Sequence, residues 1–388
     1  MRYTYPLLFI FSLSLSFYAQ SKEFNQASIL SAKEAPENTS TVSELCQHFY
    51  HPDMKLKAMV DSVYNAMPDK ERAAQMIMTA SSTLEKLGYP YETAKKMIDN
   101  DIAANVVFLK GSSVEFKQQA TQLNADKKKQ RKLKPLLACD CEPTLLPGKF
   151  TDIKDITPAS EQNDKQSVID NTDKINEIVK RVGVQLNFAP VVDIALNKSV
   201  INKRSFGSNS NDVVVLSSQF VKTTQEAGIG ATLKHFPGHG AAKGDSHKQS
   251  VFIDGPLTEL ENFKRIIQSD EPPISVMVGH ITVKNNLKYN TNGLPATLSG
   301  VIVTNLLRKE LHFNGIITTD ALNMVAAAKV NDADWKSIEA GVDLVLMPKN
   351  AALLNKNIIT ALNKKDAMSL QLETSIKRII LFKLISQQ

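Results

Sequence analysis

The chain has 388 residues, of which 43% are hydrophobic and 22% charged, and it carries a formal net charge of +6 at pH 7. These proportions are ordinary for a globular protein with a sizeable core, and 16 Gly with 16 Pro exclude a low-complexity chain. The charge is modest for this length, and its densest part, the run KKKQRKLK at 127–134, lacks the aromatic residues on which bases would stack. We therefore expect a solvated helix end there, with attraction to anionic cell-surface polymers as the alternative, and no nucleic-acid partner.

Residues 1–21 have the pattern of a secretory signal peptide. Arg2 precedes an apolar run from Leu7 to Phe17, and a candidate cleavage site, Ala19-Gln20-Ser21, follows. The run is shorter than the roughly 20 apolar residues of a membrane helix, although an uncleaved anchor stays the alternative. We expect an exported protein, periplasmic or secreted, without stable membrane insertion after signal cleavage.

The rest of the chain divides into a polar tether, residues 22–43, and a single folded domain, residues 44–388. In the domain, short apolar runs alternate with amphipathic stretches of helical spacing, which is typical of a parallel sheet covered by helices. We therefore predict an α/β fold, a (β/α)8 TIM-type barrel in one domain. Its eight candidate strands are 75–79, 106–109, 136–139, 184–188, 231–235, 275–279, 315–319 and 344–347.

A doubly wound open sheet is the competing architecture. The barrel is favoured because no Gly-rich phosphate turn follows the first strands and because polar residues follow several different strands. In a barrel, the loops after the carboxyl ends of the strands build the active site. The residues expected to converge there are Asp140, Asp193, Lys234, His235, His280 and Asp320.

Three cysteines are too few, and odd in number, for a complete disulfide framework. Cys139 and Cys141 flank Asp140 on a predicted strand and would face one side, where a disulfide between them would be strained. Cys46 paired with one of them is the alternative. We expect stability to come from the hydrophobic core.

Three of the seven histidines lie between residues 235 and 247. The spacing of His235 and His239 suits a metal bound on a helix, but Pro237 and Gly238 interrupt any helix between them. A zinc site and a purely structural role are the alternatives to a catalytic loop. We expect no metal.

The same segment contains Asp245 and His247. A carboxylate beside an imidazole stabilises the protonated ring and can hold its pKa near neutral, where an acid that later acts as a base is most efficient. The glycines of the segment would let this dyad swing over a bound substrate.

Asp320 ends the run GIITTD, where a buried strand passes into a polar segment. A carboxylate at this position can be a helix N-cap, a metal ligand or a nucleophile. Position alone leaves these three roles open.

Several motifs, in this order along the chain, resemble those of glycoside hydrolase family 3. The resemblance extends from about residue 75 to the closing SIKRIILFK, and it is strongest for the single-domain β-N-acetylhexosaminidases because Asp-Ser-His follows Lys-His-Phe-Pro-Gly-His-Gly. The motifs are LNFAPVVDI at 186–194, KRSFG at 203–207, KHFPGHGAAKGDSH at 234–247, SVMVGHI at 275–281, GIITTDALNM at 315–324 and AGVDLVLM at 340–347.

The resemblance implies a retaining exo-β-N-acetylhexosaminidase that needs no cofactor. Asp320 matches the nucleophile and His247 the acid/base, with Asp245 orienting the imidazole. The substrate-binding positions of the family match Asp140, Arg204, Lys234 and His235, while Asp193 and His280 are given supporting roles. The implied partner is an N-acetylglucosamine-containing oligosaccharide, from cell-wall fragments or chitin, bound by a monomer. For two of these positions an alternative without a role in binding stays open: Lys234 can be read as a surface lysine, and Arg204 as the partner in a structural ion pair.

The sequence departs from the family after Asp140. The family commonly reads Asp-x-Glu-Gly-Gly-Arg, whereas this chain reads DCEPTLLPGKF, and Pro143 cannot reproduce a turn that depends on glycine torsions. A smaller departure is Ala321, where the family frequently has Asp. The alternatives are therefore a family 3 β-glucosidase or β-xylosidase, a catalytically impaired glycan-binding homologue, and a sugar phosphorylase.

Overall fold

The computed structural model describes residues 42–130, 132–196, 201–243 and 251–387. The predicted signal peptide and all but the last two residues of the predicted tether lie outside these ranges, as do Asp245 and His247. Those assignments stay predictions.

Eight parallel strands form the central sheet of the described residues, and, apart from the pairing of the last strand with the first, strands that are adjacent in the sheet also follow one another along the chain. A parallel bridge between Thr318 and Leu344 joins the two edges of this sheet, so the sheet closes into a ring. The predicted (β/α)8 barrel is confirmed, and the open sheet is excluded. The strands are β1 (Ile77–Ser81), β2 (Asn105–Phe108), β3 (Leu136–Cys139), β4 (Leu186–Asn187), β5 (Gly230–Phe236), β6 (Val251–Asp254), β7 (Ser275–Val278), β8 (Ile281–Lys284), β9 (Ile316–Thr319) and β10 (Val345–Leu346).

All residues of the eight barrel strands are buried, which explains why they read as continuous apolar runs. The predicted strand 75–79 starts two residues early, because Gln75 ends the preceding helix. The predicted strand 184–188 shortens to the two residues of β4.

A second sheet, of β6 and β8, was not predicted from the sequence. These strands pair in parallel from Val251 and Ile281 onward. Val251, Ile253 and Ile281 pack with Ala242 in a small apolar cluster separate from the main core. Each strand has only four residues, too short an alternation to be recognised in the sequence.

Helices follow most barrel strands along the chain. None in the described part is long and apolar enough to cross a membrane. The α-helices are α1 (Glu44–Tyr50), α2 (Met54–Ala66), α3 (Asp69–Gln75), α4 (Tyr91–Asp99), α5 (Ser113–Lys129), α6 (Leu146–Lys149), α7 (Lys165–Val182), α8 (Ser210–Glu226), α9 (Leu260–Ile267), α10 (Val325–Ala328), α11 (Ala333–Ala340), α12 (Ala351–Leu362) and α13 (Ala367–Ser386), with 3-10 turns at Glu85–Leu87, Ala159–Glu161, Asn202–Arg204 and Ala296–Leu298 and a π-helix at Val301–Glu310.

Cys139 and Cys141 form a disulfide at the end of β3. The two Cα atoms lie 5.4 Å apart, and the alternative pairing with Cys46 is not formed. Cys46 is a buried free thiol, and burial, with the charge of Glu271, raises its pKa to about 12.

The basic run at the end of α5 is less solvated than expected. Lys127 is buried, and its Nζ donates to the carbonyl oxygen of Ile98 at 2.8 Å and pairs with Asp101 at 3.1 Å. Lys132 pairs with the other oxygen of Asp101 at 2.5 Å. Two charges of the run therefore join neighbouring elements of the fold.

Replacing Asp366 by Ala should lower the free energy of unfolding by about 1 kcal/mol. The Asp366 carboxylate accepts the N–H of Ser369 at 3.0 Å and so caps α13. Urea unfolding would measure the change, and Asp366→Asn is the control because Asn caps a helix equally well. A variant with Ala that is as stable as the one with Asn would contradict the role of the cap.

Candidate active site

A pocket of about 560 Å³ opens at the carboxyl ends of the barrel strands. Its volume lies in the range of small-molecule sites. Of the candidate residues that the structure describes, Asp193 and His280 do not line this pocket. The predicted catalytic and substrate-binding residues that line it are Asp140, Arg204, Lys234, His235 and Asp320. The polar and charged side chains that line it are Tyr89, Asp140, Lys149, Arg204, Lys234, His235, His239, Asp320 and Asn323.

Lys234, near the end of β5, is buried between two carboxylates. Its Nζ contacts Asp140 Oδ1 and lies 2.5 Å from Glu142 Oε1. Burial favours the neutral amine, but these two carboxylates raise the pKa of Lys234 above its usual value. Burial would likewise raise the pKa of Asp140, yet the charges of Lys234, Lys149 and Arg204 hold it well below its usual range. Lys234 is therefore not a surface lysine, and Asp140 is ionised.

Arg204 is both an ion-pair partner and a lining residue. Its Nη2 lies 2.6 Å from Glu142 Oε1 and its Nε 2.9 Å from Oε2, a bidentate geometry that fixes the guanidinium plane. Burial opposes ionisation of Glu142, but Arg204 and then Lys234 lower its pKa overall. The sequence did not identify Glu142 as the residue that joins these two cations.

Asp193 orients His235. Its Oδ2 lies 2.7 Å from His235 Nδ1, and its two oxygens also accept the main-chain N–H groups of His235 and His239. Despite burial, the nearby His235 keeps the pKa of Asp193 low. The supporting role expected of Asp193 agrees with this geometry. The Lys234–His235 peptide bond is cis, and both side chains line the pocket.

Asp320 follows β9 directly and is half-buried. Its Oδ1 accepts the N–H of Ala321 at 2.8 Å. Burial raises its pKa, but electrostatic interaction with His280 and His235, together with this N–H, lowers it overall, so the carboxylate is ionised. An ionised carboxylate facing a pocket is able to act as a nucleophile.

His280 supports the chain at Asp320. Its Nε2 lies 3.0 Å from the carbonyl oxygen of Ala321, and its Nδ1 lies 2.8 Å from Thr297 Oγ1. The hydroxyl of Thr297 is in turn bonded to the carbonyl oxygen of Gly279. His280 therefore acts on the pocket through Ala321.

The segment that departs from the family places a different cation in the pocket. Residues 146–149 form the short helix α6, which ends at Lys149. The N–H of Gly111 donates to the main-chain oxygen of Lys149 at 2.9 Å, and Lys149 Nζ lies 3.0 Å from Asp140 Oδ2. Lys149 could not be identified from the sequence, because its position depends on the path of the segment after Asp140, which departs from the family.

The remaining wall of the pocket is largely apolar. Near it, Asn323 Nδ2 donates to Tyr89 Oη at 2.6 Å. Neither residue was identified from the sequence. The apolar lining consists of Val107, Leu109, Leu145, Phe188, Met277, Ala321, Met324, Leu346 and Met347.

His235 and His239, whose spacing suggested a zinc site, lie close together, and His235 is hydrogen-bonded to a carboxylate. The ring centroids of His235 and His239 are 5.7 Å apart, and Nδ1 of His235 is bonded to Asp193. Among the described residues, no group of three or more His, Cys, Asp or Glu side chains is arranged to hold a metal ion. Asp245 and His247 lie outside that part of the chain.

A family model, the glycosyl hydrolase family 3 N-terminal domain, matches residues 70–382. Beta-hexosaminidase A of Pseudoalteromonas piscicida is 35% identical over 231 residues, which are 53% of this chain and 38% of that protein. Beta-hexosaminidase LpqI of Mycobacterium tuberculosis is 34% identical over 184 residues, which are 43% of this chain and 45% of that protein. The matches thus span less than half the length of either relative.

Solved structures share the fold at lower identity. A glycoside hydrolase family 3 beta-N-acetylglucosaminidase from Paenibacillus has a TM-score of 0.71 and 24% identity, over 83% of this chain and 63% of that one. The beta-glucoside phosphorylase BglX has a TM-score of 0.77 and 21% identity, over 87% and 62%. LpqI of M. tuberculosis has a TM-score of 0.68 and 22% identity, over 84% and 96%. At these identities the likeness concerns the fold alone.

Proposed function

Because the chain belongs to glycosyl hydrolase family 3, we propose that it is a retaining exo-β-N-acetylhexosaminidase. The observation that carries the proposal is the ionised carboxylate of Asp320 in the same pocket as Lys234 and Asp140, which form an ion pair backed by the buried Glu142. A nucleophile and a set of charged groups able to bind sugar hydroxyls are thereby brought together.

In the proposed mechanism, a carboxylate oxygen of Asp320 bonds to the anomeric carbon while the bond to the leaving oxygen breaks. Protonated His247, oriented by Asp245, gives its proton to that oxygen. His247 then takes a proton from water, the water oxygen bonds to the anomeric carbon, and the ester to Asp320 breaks. Two inversions at one carbon retain the β configuration.

Lys234, His235, Asp140 and Arg204 are the proposed sugar-binding residues. Charged donors and acceptors held rigidly by one another can bind hydroxyls without reorganising, and a bond that a sugar hydroxyl donates to Asp140 strengthens as positive charge develops on the ring. Arg204 is held by both oxygens of Glu142, and His235 by Asp193, so two of the four are fixed before any sugar binds.

The N-acetyl preference is supported by the relatives named beta-hexosaminidase, at 35% and 34% identity. The proposed natural substrates are cell-wall fragments or chito-oligosaccharides. The signal-peptide pattern of residues 1–21 supports a periplasmic or secreted protein, and we propose that it acts as a monomer.

Release of 4-nitrophenol from three β-glycosides tests the proposal. The N-acetylglucosaminide should be hydrolysed at least about 100-fold more efficiently than the glucoside or xyloside, since a site that bonds a polar substituent rejects analogues lacking it. Faster hydrolysis of the glucoside or xyloside would reassign the sugar. Sugar 1-phosphate formed when phosphate is added would indicate a phosphorylase, and binding without turnover of any of the three would indicate a glycan-binding protein.

A further inference from the structure

Glu259 is absent from the proposed mechanism, yet its carboxylate joins two loops at the mouth of the barrel. The side chain is buried. Oε2 accepts the N–H of Ile194 at 2.8 Å and that of Gly240 at 3.2 Å, and Oε1 accepts the N–H of Ala241 at 2.8 Å. Ile194 belongs to the loop after β4, whereas Gly240 and Ala241 follow β5. One side chain therefore holds the main chain of two neighbouring loops.

Two glycines leave room for this carboxylate. A Cβ at Gly238 would lie 2.7 Å from Cβ of Glu259. A Cβ at Gly240 would lie 2.0 Å from the carbonyl oxygen of Ile194 and 2.7 Å from Glu259 Oε2. The sequence suggested that glycines here serve loop motion. Glycine is required at Gly238 by close approach to Glu259, and at Gly240 by close approach to both the Ile194 carbonyl oxygen and Glu259.

A second carboxylate holds the same segment from the other loop. Asp193 accepts the N–H of His239 at 2.7 Å and bonds His235 through both its main chain and its ring. Residues 235–241 are thus fixed by two carboxylates, and the segment presents His235 and His239 to the pocket.

The environment of Glu259 does not favour a charge there. Burial, and then the negative charge of Asp193, raise the pKa of Glu259 to about 8, although the three N–H groups act in the opposite direction. A residue that served packing alone would not need an ionisable group at such a position. Acids placed against such a cost are enriched at functional sites.

We propose that Glu259 is a positioning residue, which clamps residues 238–241 to the loop of Asp193 and thereby holds His235 and His239 at the pocket. It does so through the main chain, without touching the sugar. The clamp itself follows from described contacts, and only its effect on turnover rests on the proposed function.

Hydrogen–deuterium exchange of Glu259→Gln tests the clamp. The amide keeps one acceptor oxygen but turns an NH₂ group toward an N–H donor, so the peptides that contain Ile194 and Gly240–Ala241 should both exchange at least about tenfold faster. Peptides from β1 and α5 should be unchanged. Glu261→Gln is the matched control, because Glu261 is an exposed glutamate in the first turn of α9, the helix that Glu259 precedes as its N-cap residue. Glu259→Asp, one methylene shorter, is the second variant and should release at least one of the two segments.

Exchange that stays unchanged in both segments, or that rises equally throughout the chain, would overturn the proposal. In an enzyme that hydrolyses the aryl N-acetylglucosaminide, Glu259→Gln should lower kcat and raise KM together, because His235, one of the proposed sugar contacts, is no longer held in place. An unchanged kcat would also overturn the positioning role. If the unaltered protein hydrolyses no glycoside, the proposed function fails, while the exchange result still decides whether the clamp exists.

Discussion

Asp320→Ala should reduce hydrolysis of 4-nitrophenyl β-N-acetylglucosaminide on the order of 10⁴-fold, the scale of loss seen when a catalytic group is removed. The variant has no carboxylate to bond the anomeric carbon, so the first displacement loses its nucleophile. The unaltered carboxylate is ionised because His280, His235 and the N–H of Ala321 outweigh its burial. Steady-state kinetics with thermal unfolding as a folding check would measure the effect.

Azide distinguishes a missing nucleophile from a damaged site. In Asp320→Ala, azide should enter the space of the carboxylate, bond to the anomeric carbon and displace nitrophenolate, giving the α-glycosyl azide and restoring part of the rate. In His247→Ala, the glycosyl-enzyme still forms on Asp320, so azide should attack it from the opposite face and give the β-glycosyl azide. Full activity in Asp320→Ala, or a β product from it, would remove Asp320 from the nucleophile role.

The barrel and the place of its site could be predicted because both depend on local pattern. Strands that are buried on both faces are recognisable in the sequence as short, mainly apolar runs. Polar residues in the loops that follow these strands lie at the carboxyl end of the barrel. Asp140 after β3, Asp193 in the loop after β4 and Asp320 after β9 follow this rule. The family resemblance drawn from motifs in the same loops is confirmed by the family match over residues 70–382.

The partners of these residues could not be predicted, because they lie far apart in sequence. Glu142 and Arg204 are 62 positions apart, and only the closed ring brings them together. Lys149 is close to Asp140 in sequence, but its approach depends on the path of a loop that no longer has the family's glycines. Glu259 looked like any glutamate at the start of a helix. Ion pairs between residues far apart in the chain leave no repeating pattern in a single sequence, so they could not be predicted.

Lys234→Met should lower the free energy of unfolding by about 3–5 kcal/mol at pH 7, the usual cost of removing one partner from a buried ion pair. Met nearly fills the volume, so the main loss is the charge that faces Asp140 and Glu142. Glu142 is buried and Asp140 is only 22% exposed, and the two carboxylates would then face each other with less compensation. The matched control is Lys149→Met: Lys149 also pairs with Asp140, but its side chain is 29% exposed, so about 1 kcal/mol or less is expected.

The pH dependence of that loss separates charge from packing. In the unaltered protein the pKa values of Asp140 and Glu142 are lowered, so their contribution to stability is present above the ordinary carboxyl pKa and is lost as the pH falls through the folded values. Without Lys234 these pKa values should rise, and the two carboxyls should take up protons at a higher pH. Urea unfolding should therefore show a deficit of Lys234→Met that is largest at pH 7 and smaller at pH 5. A deficit that is the same at both pH values would contradict this account, because the loss would then not depend on the ionisation of Asp140 and Glu142.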